Sequence, residues 1–276
     1  MLNYLHQLYY SFINKLRREK RKKNSQIIPK QKNNFLDYKS DKVFDPIIFT
    51  PNYICEEIKI TSYNKEIVKI LNSQVDEPYV KFVRKFYKEI SLKHKHQSTY
   101  VDMIKVLYVI SKLIKPENYL EIGVRRGRSI SIVAKNSPLC ELYAFDMWIK
   151  NYTGVENPGP TIVKKELKKI KHKGKIHFIN GNSQKTIPEF KSKNPNIFFD
   201  LICIDGDHSL NGATKDLSNV IEMLKIGGYL ILDDTNSFEH PFLKNVWKKL
   251  VKKRDDFISV EFNELGLGVS IATRIY

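Results

Sequence analysis

The chain has 276 residues, of which 42% are hydrophobic and 12% aromatic, and it carries a formal net charge of +17. This composition excludes a chain that is disordered throughout, and the length is sufficient for one α/β domain with extensions. No apolar run approaches the ~20 residues that a membrane span requires, and the N-terminus lacks the pattern of a secretory signal. We therefore expect a cytoplasmic protein.

Residues 1–34 concentrate the positive charge. They contain nine Lys or Arg residues and one acid, Glu19, for a net charge of +8, and apolar side chains recur three and four residues apart from Leu2 to Leu16. This pattern predicts a basic amphipathic helix, which can lie on an anionic membrane surface or dock on a protein partner. A solvated tail is the simpler alternative. Nucleic acid is a third, but the segment matches no nucleic-acid-binding module.

Residues 35–99 give mixed signals. Pro46 and Pro51 interrupt any long helix, whereas residues 67–71 and 80–90 have helical patterns. We interpret this stretch as an N-terminal helical extension, a lead-in or lid, that has no independent core.

Residues 100–276 have a regular pattern in which strands and helices alternate. An apolar helical face runs from Val101 to Ile114, another helix starts at Ser129, and a third ends at Gly227-Gly228. Strands are predicted at residues 119–124, 142–146, 175–180, 199–205 and 229–233, and a final antiparallel hairpin at residues 257–262 and 267–275. This alternation predicts an α/β fold with βαβ units and a mostly parallel, doubly wound sheet.

Ligands of an open parallel sheet bind beyond the carboxyl ends of its strands. The first strand is followed by Gly123 and Gly127, which permit a tight turn and a close approach to a ligand, although glycines here can be purely structural. The spacing differs from the dinucleotide G-x-G-x-x-G pattern. Glu121 would repel a pyrophosphate and suits a ligand with an ammonium or sulfonium group.

The second and third strands end in polar residues that suit a nucleoside. Asp146 can accept hydrogen bonds from two ribose hydroxyls, or it can cap the next element. Asn182 and Ser183, after Gly181, can contact a purine edge, or they can form a turn with an N-cap.

The fourth and fifth strands end in acids. Asp205 opens the segment Asp-Gly-Asp-His-Ser at residues 205–209, and Asp233 and Asp234 follow the fifth strand. Carboxylates that gather there would repel one another unless a cation lies between them, and their oxygens suit Mg²⁺, Ca²⁺ or Mn²⁺. Capping of the following helix is the preferred interpretation for Asp207, whereas Asp205 and Asp233 are expected to be functional.

Together, these motifs over residues 100–276 resemble the class I S-adenosylmethionine-dependent methyltransferases. The subgroup most similar is that of small bacterial-type methyltransferases with a D-G-D-H-S segment, and the motifs are also similar to those of metal-dependent O-methyltransferases. The resemblance implies a Rossmann-like, seven-stranded sheet with an antiparallel last strand. It also implies eight cofactor-binding positions, of which Asp205 is one. Glu121, Gly123 and Gly127 cradle the methionine part of the cofactor, Asp146 holds the ribose, and Met147, Asn182 and Ser183 flank the adenine.

The resemblance further implies a catalytic centre. Asp205, Asp233 and Asp234 match the acids that hold a divalent cation such as Mg²⁺ in the metal-dependent enzymes, with 28 residues from Asp205 to Asp233. Where the catechol-type enzymes have a lysine, this chain has His208, a competent base at neutral pH. With Asp205, His208 is expected to be catalytic in the methylation of a hydroxyl on a small molecule or glycan.

Two alternatives remain at this stage. A non-catalytic scaffold could keep the cofactor fold while its basic N-terminus docks on a membrane or partner. A nucleic-acid methyltransferase would explain the charge, but the clustered acids repel phosphates and the fourth strand lacks the Pro-Pro segment of amino-methylating enzymes. Arg125, Arg126 and Arg128 stand beside the expected site, where they can bind a carboxylate or phosphate or simply lie on the surface.

Overall fold

A computed structural model describes residues 48–60, 62–93, 100–151 and 156–276. The basic segment 1–34 lies outside these residues, so its helix and its contacts with a membrane or partner stay predictions. Within the described ranges, no helix is both long enough and apolar enough to cross a membrane.

Helices α1 to α4 precede the first strand, at Pro51–Lys59, Tyr63–Asn72, Pro78–Lys93 and Met103–Ile114. Strands and helices then alternate in the order β1 Asn118–Ile122, α5 Arg128–Asn136, β2 Glu141–Asp146, α6 Pro160–Lys169, β3 Ile176–Asn180, α7 Ser183–Lys193, β4 Phe199–Ile204, α8 Leu210–Val220, β5 Leu224–Asp233 and α9 Leu243–Trp247. A π-helical turn, Lys248–Lys252, extends α9, and the hairpin β6 Phe257–Phe262 and β7 Val269–Arg274 ends the chain.

The strands form a seven-stranded sheet in the order β3-β2-β1-β4-β5-β7-β6. Strands β1 to β5 pair in parallel, and β7 is antiparallel to both β5 and β6. The order reverses at β1, from which one half of the sheet runs to β3 and the other to β5. This is the predicted Rossmann-like, doubly wound architecture with an antiparallel last strand, and its switch point places the ends of β1 and β4 side by side.

Both faces of the sheet are buried, as expected for parallel strands covered by helices. Alternate residues of β1 show this: Tyr119 packs in a cluster with Ile67 of α2 and Leu107 of α4, whereas Leu120 packs in a second cluster with Leu217 of α8. The described part of the lead-in therefore packs in the core of the sheet.

Two predicted boundaries are wrong. The first strand ends at Ile122, before residue 124, because Gly123 has a φ of +89° that an extended strand does not permit. The fifth strand begins at Leu224, before residue 229, and includes Gly227-Gly228, which we had placed at the end of a helix. That helix ends at Val220, and a short 3₁₀ turn leads directly into β5.

Candidate active site

The loop after β1 passes unusually close to the end of β4. The amide of Asp205 donates to the carbonyl of Ile122 at 2.9 Å, and a Cβ on Gly123 would overlap the carbonyl oxygen of Asp205. At the other end of the loop, Gly127 has a φ of +79°, and a Cβ there would lie 2.9 Å from Val163 Cγ1. The two glycines thus let the loop of residues 123–127, here called the cradle, pack closely at the switch point of the sheet, where a side chain at either position would collide with Asp205 or Val163.

Glu121 is fully buried beneath this cradle. Its two carboxyl oxygens accept hydrogen bonds from the hydroxyls of Tyr119 and Ser129, each at 2.5 Å. Burial raises the pKa of Glu121 to about 8 despite these two donors, and the nearby Asp205 carboxylate acts in the same direction. A cation that enters the cradle would favour the ionised form of Glu121, so this carboxyl suits an ammonium group.

Asp146 stands at the end of β2 with its carboxylate held by three donors. The amides of Arg125 and Trp148 donate to it at 2.7 and 2.6 Å, and Asn157 Nδ2 donates at 3.2 Å. A carboxylate has about four acceptor positions, so this one is fixed in place and can still accept from a ligand hydroxyl. Met147 follows it with an exposed side chain. Sequence reasoning missed the roles of Trp148 and Asn157, since a loop gives no periodic signal.

Asn182 and Ser183 lie at the start of α7, where both side chains are engaged. Asn182 Oδ1 accepts from the Gln184 amide at 2.9 Å, so Asn182 is the N-cap that we had named as the alternative. Ser183 Oγ donates to Asp216 Oδ1 at 2.7 Å. Asp216 is fully buried in α8, and burial raises its pKa to about 6. Nothing in the sequence pattern of α8 singled out this acid.

His208 lies between two of the predicted acids. Its Nε2 is 3.4 Å from Asp205 Oδ1, and its Nδ1 is 3.4 Å from Asp234 Oδ2. Burial alone would lower the pKa of His208, but the two carboxylates outweigh it and raise the pKa above the ordinary value. The structure therefore brings Asp205, Asp234 and His208 together in one set of ion pairs.

The remaining acids at this edge differ from one another. Asp207 accepts from the Ser209 amide at 2.9 Å, and Ser209 caps α8, so Asp207 takes part in the cap as expected. The carboxyl of Asp233 has a pKa well above its usual range, because it is buried and lies near Asp205 and Asp234.

The predicted metal site does not fit this arrangement. Among the described residues, no group of three or more His, Cys, Asp or Glu side chains is placed to hold a metal ion. The imidazole of His208 stands between Asp205 and Asp234, in contact with the oxygens that a cation would bind. The three acids, Asp205, Asp233 and Asp234, are close together as predicted, but two of them share a histidine.

Residues 120–235 match a family model described as a methyltransferase domain. No curated protein sequence matches the chain. Among solved structures, the fold is similar to that of the O-methyltransferase TomG from Streptomyces achromogenes, involved in tomaymycin synthesis, in complex with SAM. The TM-score is 0.53 at 14% identity, over 80% of this chain and 99% of TomG. It is also similar to CalS11, a calicheamicin methyltransferase, with a TM-score of 0.50 at 18% identity, over 85% of this chain and 98% of CalS11.

Proposed function

Because residues 120–235 match a methyltransferase domain, we propose that the chain is a class I S-adenosylmethionine-dependent methyltransferase and that it methylates a hydroxyl of a small molecule or glycan, with His208 as the base. The observation that carries this proposal is the position of His208, held from both sides by Asp205 and Asp234 at the ligand-binding edge of the sheet. The chemistry named for TomG, an O-methyltransferase of similar fold, is in keeping with it.

The cofactor-binding roles are part of the proposal. Gly123 and Gly127 supply the backbone cradle for the methionine moiety, and Glu121 beneath it accepts the ammonium group. Asp146, already fixed by three donors, accepts the ribose hydroxyls. Support for these roles comes from the close approach of the cradle to the end of β4, which only glycine permits, and from a buried carboxyl whose two hydrogen bonds come from neutral hydroxyls.

The adenine contacts are supported less directly. Met147 has an exposed side chain next to Asp146, where a flat apolar ring can pack on it. Asn182 and Ser183 use their side chains within the protein, so we assign them the role of shaping the wall beside the adenine. The Ser183–Asp216 hydrogen bond holds that wall in position.

S-adenosylmethionine supplies, when bound, a methyl group made electrophilic by its sulfonium. The task left to the protein is to position the acceptor hydroxyl and to take its proton. Neutral His208 can accept that proton, and the charges of Asp205 and Asp234 stabilise the imidazolium that results. No step of this proposal requires a metal ion, and the scaffold and nucleic-acid alternatives have no support from the site.

The His208→Ala variant tests the proposal. Turnover, measured as methyl transfer from labelled cofactor to a panel of hydroxylated small molecules and glycans, should fall by about 10²–10⁴-fold. The affinity for the cofactor, measured by calorimetry, should stay within about twofold, because His208 is assigned to the acceptor side.

His177→Gln is the matched control, since His177 also contacts a carboxylate, Glu141 at 3.1 Å, but outside this site. It should retain the turnover of the unmodified chain. If His208→Ala also retains it, His208 serves only to join two loops and the base lies elsewhere.

A further inference from the structure

Two arginines beside the site differ from the others that the structure describes. Four of the six arginines in the described residues form an ion pair with a carboxylate: Arg84 with Asp76, Arg126 with Glu156, Arg254 with Asp256 and Arg274 with Glu222. Arg125 and Arg128 form none with a described residue. They lie three residues apart, Arg125 in the loop after β1 and Arg128 at the start of α5, beside the proposed cofactor site.

These two guanidinium groups also carry buried donors without acceptors. Arg125 Nε and Nη2 and Arg128 Nε are shielded from solvent, and no described residue accepts a hydrogen bond from them. A guanidinium has five N–H donors, and buried donors are almost always satisfied in folded proteins. Burial and the charge of Arg128 both lower the pKa of Arg125, although a guanidinium keeps its proton throughout. Buried guanidinium donors with no acceptor among the described residues indicate that a ligand supplies one.

Neighbouring residues fix the backbone of Arg125 and the guanidinium of Arg128. Arg125 has a left-handed φ of 51°, which non-glycine residues rarely adopt, and its amide is bonded to the carboxylate of Asp146. The guanidinium of Arg128 lies over the ring of Tyr79 in α3, with its carbon 4.3 Å from the ring centre. The carbonyl of Arg128 accepts from Gln74 Nε2 at 3.3 Å, which ties this loop to the segment before α3.

We propose that Arg125 and Arg128 form a subsite for an oxyanion, a carboxylate or phosphate, on the methyl acceptor. This inference rests on the proposed function and adds the class of acceptor, an anionic one. Planar guanidinium groups bind such oxyanions in bidentate fashion, and Tyr79 holds one of the two planes.

Together with the acids near His208, the arginine subsite would also orient the acceptor. Asp205 and Asp234, on either side of His208, repel an anionic group. The two arginines attract it, so the acceptor is oriented with its anion at the loop after β1 and its hydroxyl towards His208.

The experiment titrates inorganic phosphate and, separately, acetate into the full-length protein loaded with S-adenosylhomocysteine. We expect saturable binding of one anion in preference to the other, which distinguishes a phosphorylated acceptor from a carboxylated one. The dissociation constant should rise by about tenfold or more in Arg125→Gln and in Arg128→Gln. Arg128→Lys keeps the charge but loses the paired N–H donors of the guanidinium, so its dissociation constant for the anion should be intermediate. This variant replaces Arg128→Gln in the test if Arg128→Gln does not fold.

The matched control is Arg126→Gln, which removes the same charge from the same loop. Because Arg126 is already paired with Glu156, the anion should bind this variant within about twofold of the unmodified protein. An equal loss in Arg126→Gln would show a response to total charge and overturn the proposal.

Two further results would also overturn it. One is the lack of saturable anion binding in the loaded, unmodified protein. The other is a loss of affinity for S-adenosylhomocysteine itself in Arg128→Gln, since the arginines would then serve the carboxylate of the cofactor. Failure of the proposed function would give a different result from failure of the anion subsite. If the proposed function is wrong, the unmodified protein binds no S-adenosylhomocysteine, or it binds anions at the arginines but transfers no methyl group.

Discussion

Replacing Glu121 by Gln removes one titrating group from the core without changing its size. In the folded protein the pKa of this buried carboxyl is raised to about 8, from a model-compound value of 4.5. An acid whose pKa is higher when folded than when unfolded lowers stability as the pH rises. Between about pH 4.5 and 8 the unfolded chain has lost the proton that the folded chain retains.

The size of the effect follows from these two pKa values. Between pH 6 and pH 9, ionisation of Glu121 should lower the free energy of unfolding by about 2–3 kcal/mol. All other groups titrate alike in the variant, so the difference between the two pH dependences isolates Glu121.

Urea unfolding of the full-length protein at each pH unit from 6 to 9 measures this difference. Over that range the free energy of unfolding of Glu121→Gln should fall by about 2–3 kcal/mol less than that of the unmodified protein. Glu189→Gln, a change at an exposed position of α7, should follow the unmodified protein. Equal slopes for Glu121→Gln and the unmodified protein would refute the reasoning, because Glu121 would then be ionised in the folded state already at pH 6.

Glu121→Gln also tests whether Glu121 loses its proton when the cofactor binds. If Glu121 accepts the ammonium group, binding near pH 7 converts a neutral carboxyl into a carboxylate and releases up to one proton. Calorimetry in buffers of different ionisation enthalpy detects this proton. Glu121→Gln should release none from this position.

Two changes test the cradle and the metal prediction. Gly123→Ala should lower the free energy of unfolding by at least about 1 kcal/mol more than Gly159→Ala in urea unfolding, because both glycines have positive φ but only a Cβ on Gly123 meets another residue, Asp205. Equal losses would show that the backbone at Gly123 moves aside freely. Exhaustive treatment with EDTA should leave cofactor affinity and turnover unchanged, because His208 separates Asp205 from Asp234, and a loss that added Mg²⁺ restores would contradict this.

The sheet was predictable because its signals are local. Each central strand is a short apolar run between polar residues, and burial on both faces of a parallel sheet requires such runs. Once the strands were placed, the rule that ligands bind at their carboxyl ends brought Glu121, Asp146 and Asp205 to one edge. The structure confirms that edge, since all three lie there around the loop after β1.

The details of the site depend on contacts between distant segments, which periodicity does not encode. Asp216 lies inside a helix, and only the packing of α8 against the start of α7 brings it to Ser183. The contact between His208 and Asp234 likewise depends on the loop after β5, where Asp234 itself has a left-handed φ of 58°. From the sequence we predicted a metal cation among these acids, because neighbouring carboxylates repel one another. In the structure, the imidazole of His208 lies between Asp205 and Asp234 instead.

The contact between Gly123 and Asp205 has a consequence for anyone who would redesign this protein. The two loops touch through main-chain atoms, with no side chain between them to absorb a change in shape. A loop grafted from another protein at residues 123–127 would carry its own backbone path, and it would displace the segment that bears His208. The two loops are therefore one exchangeable part, and recombination between relatives should transfer both together or neither.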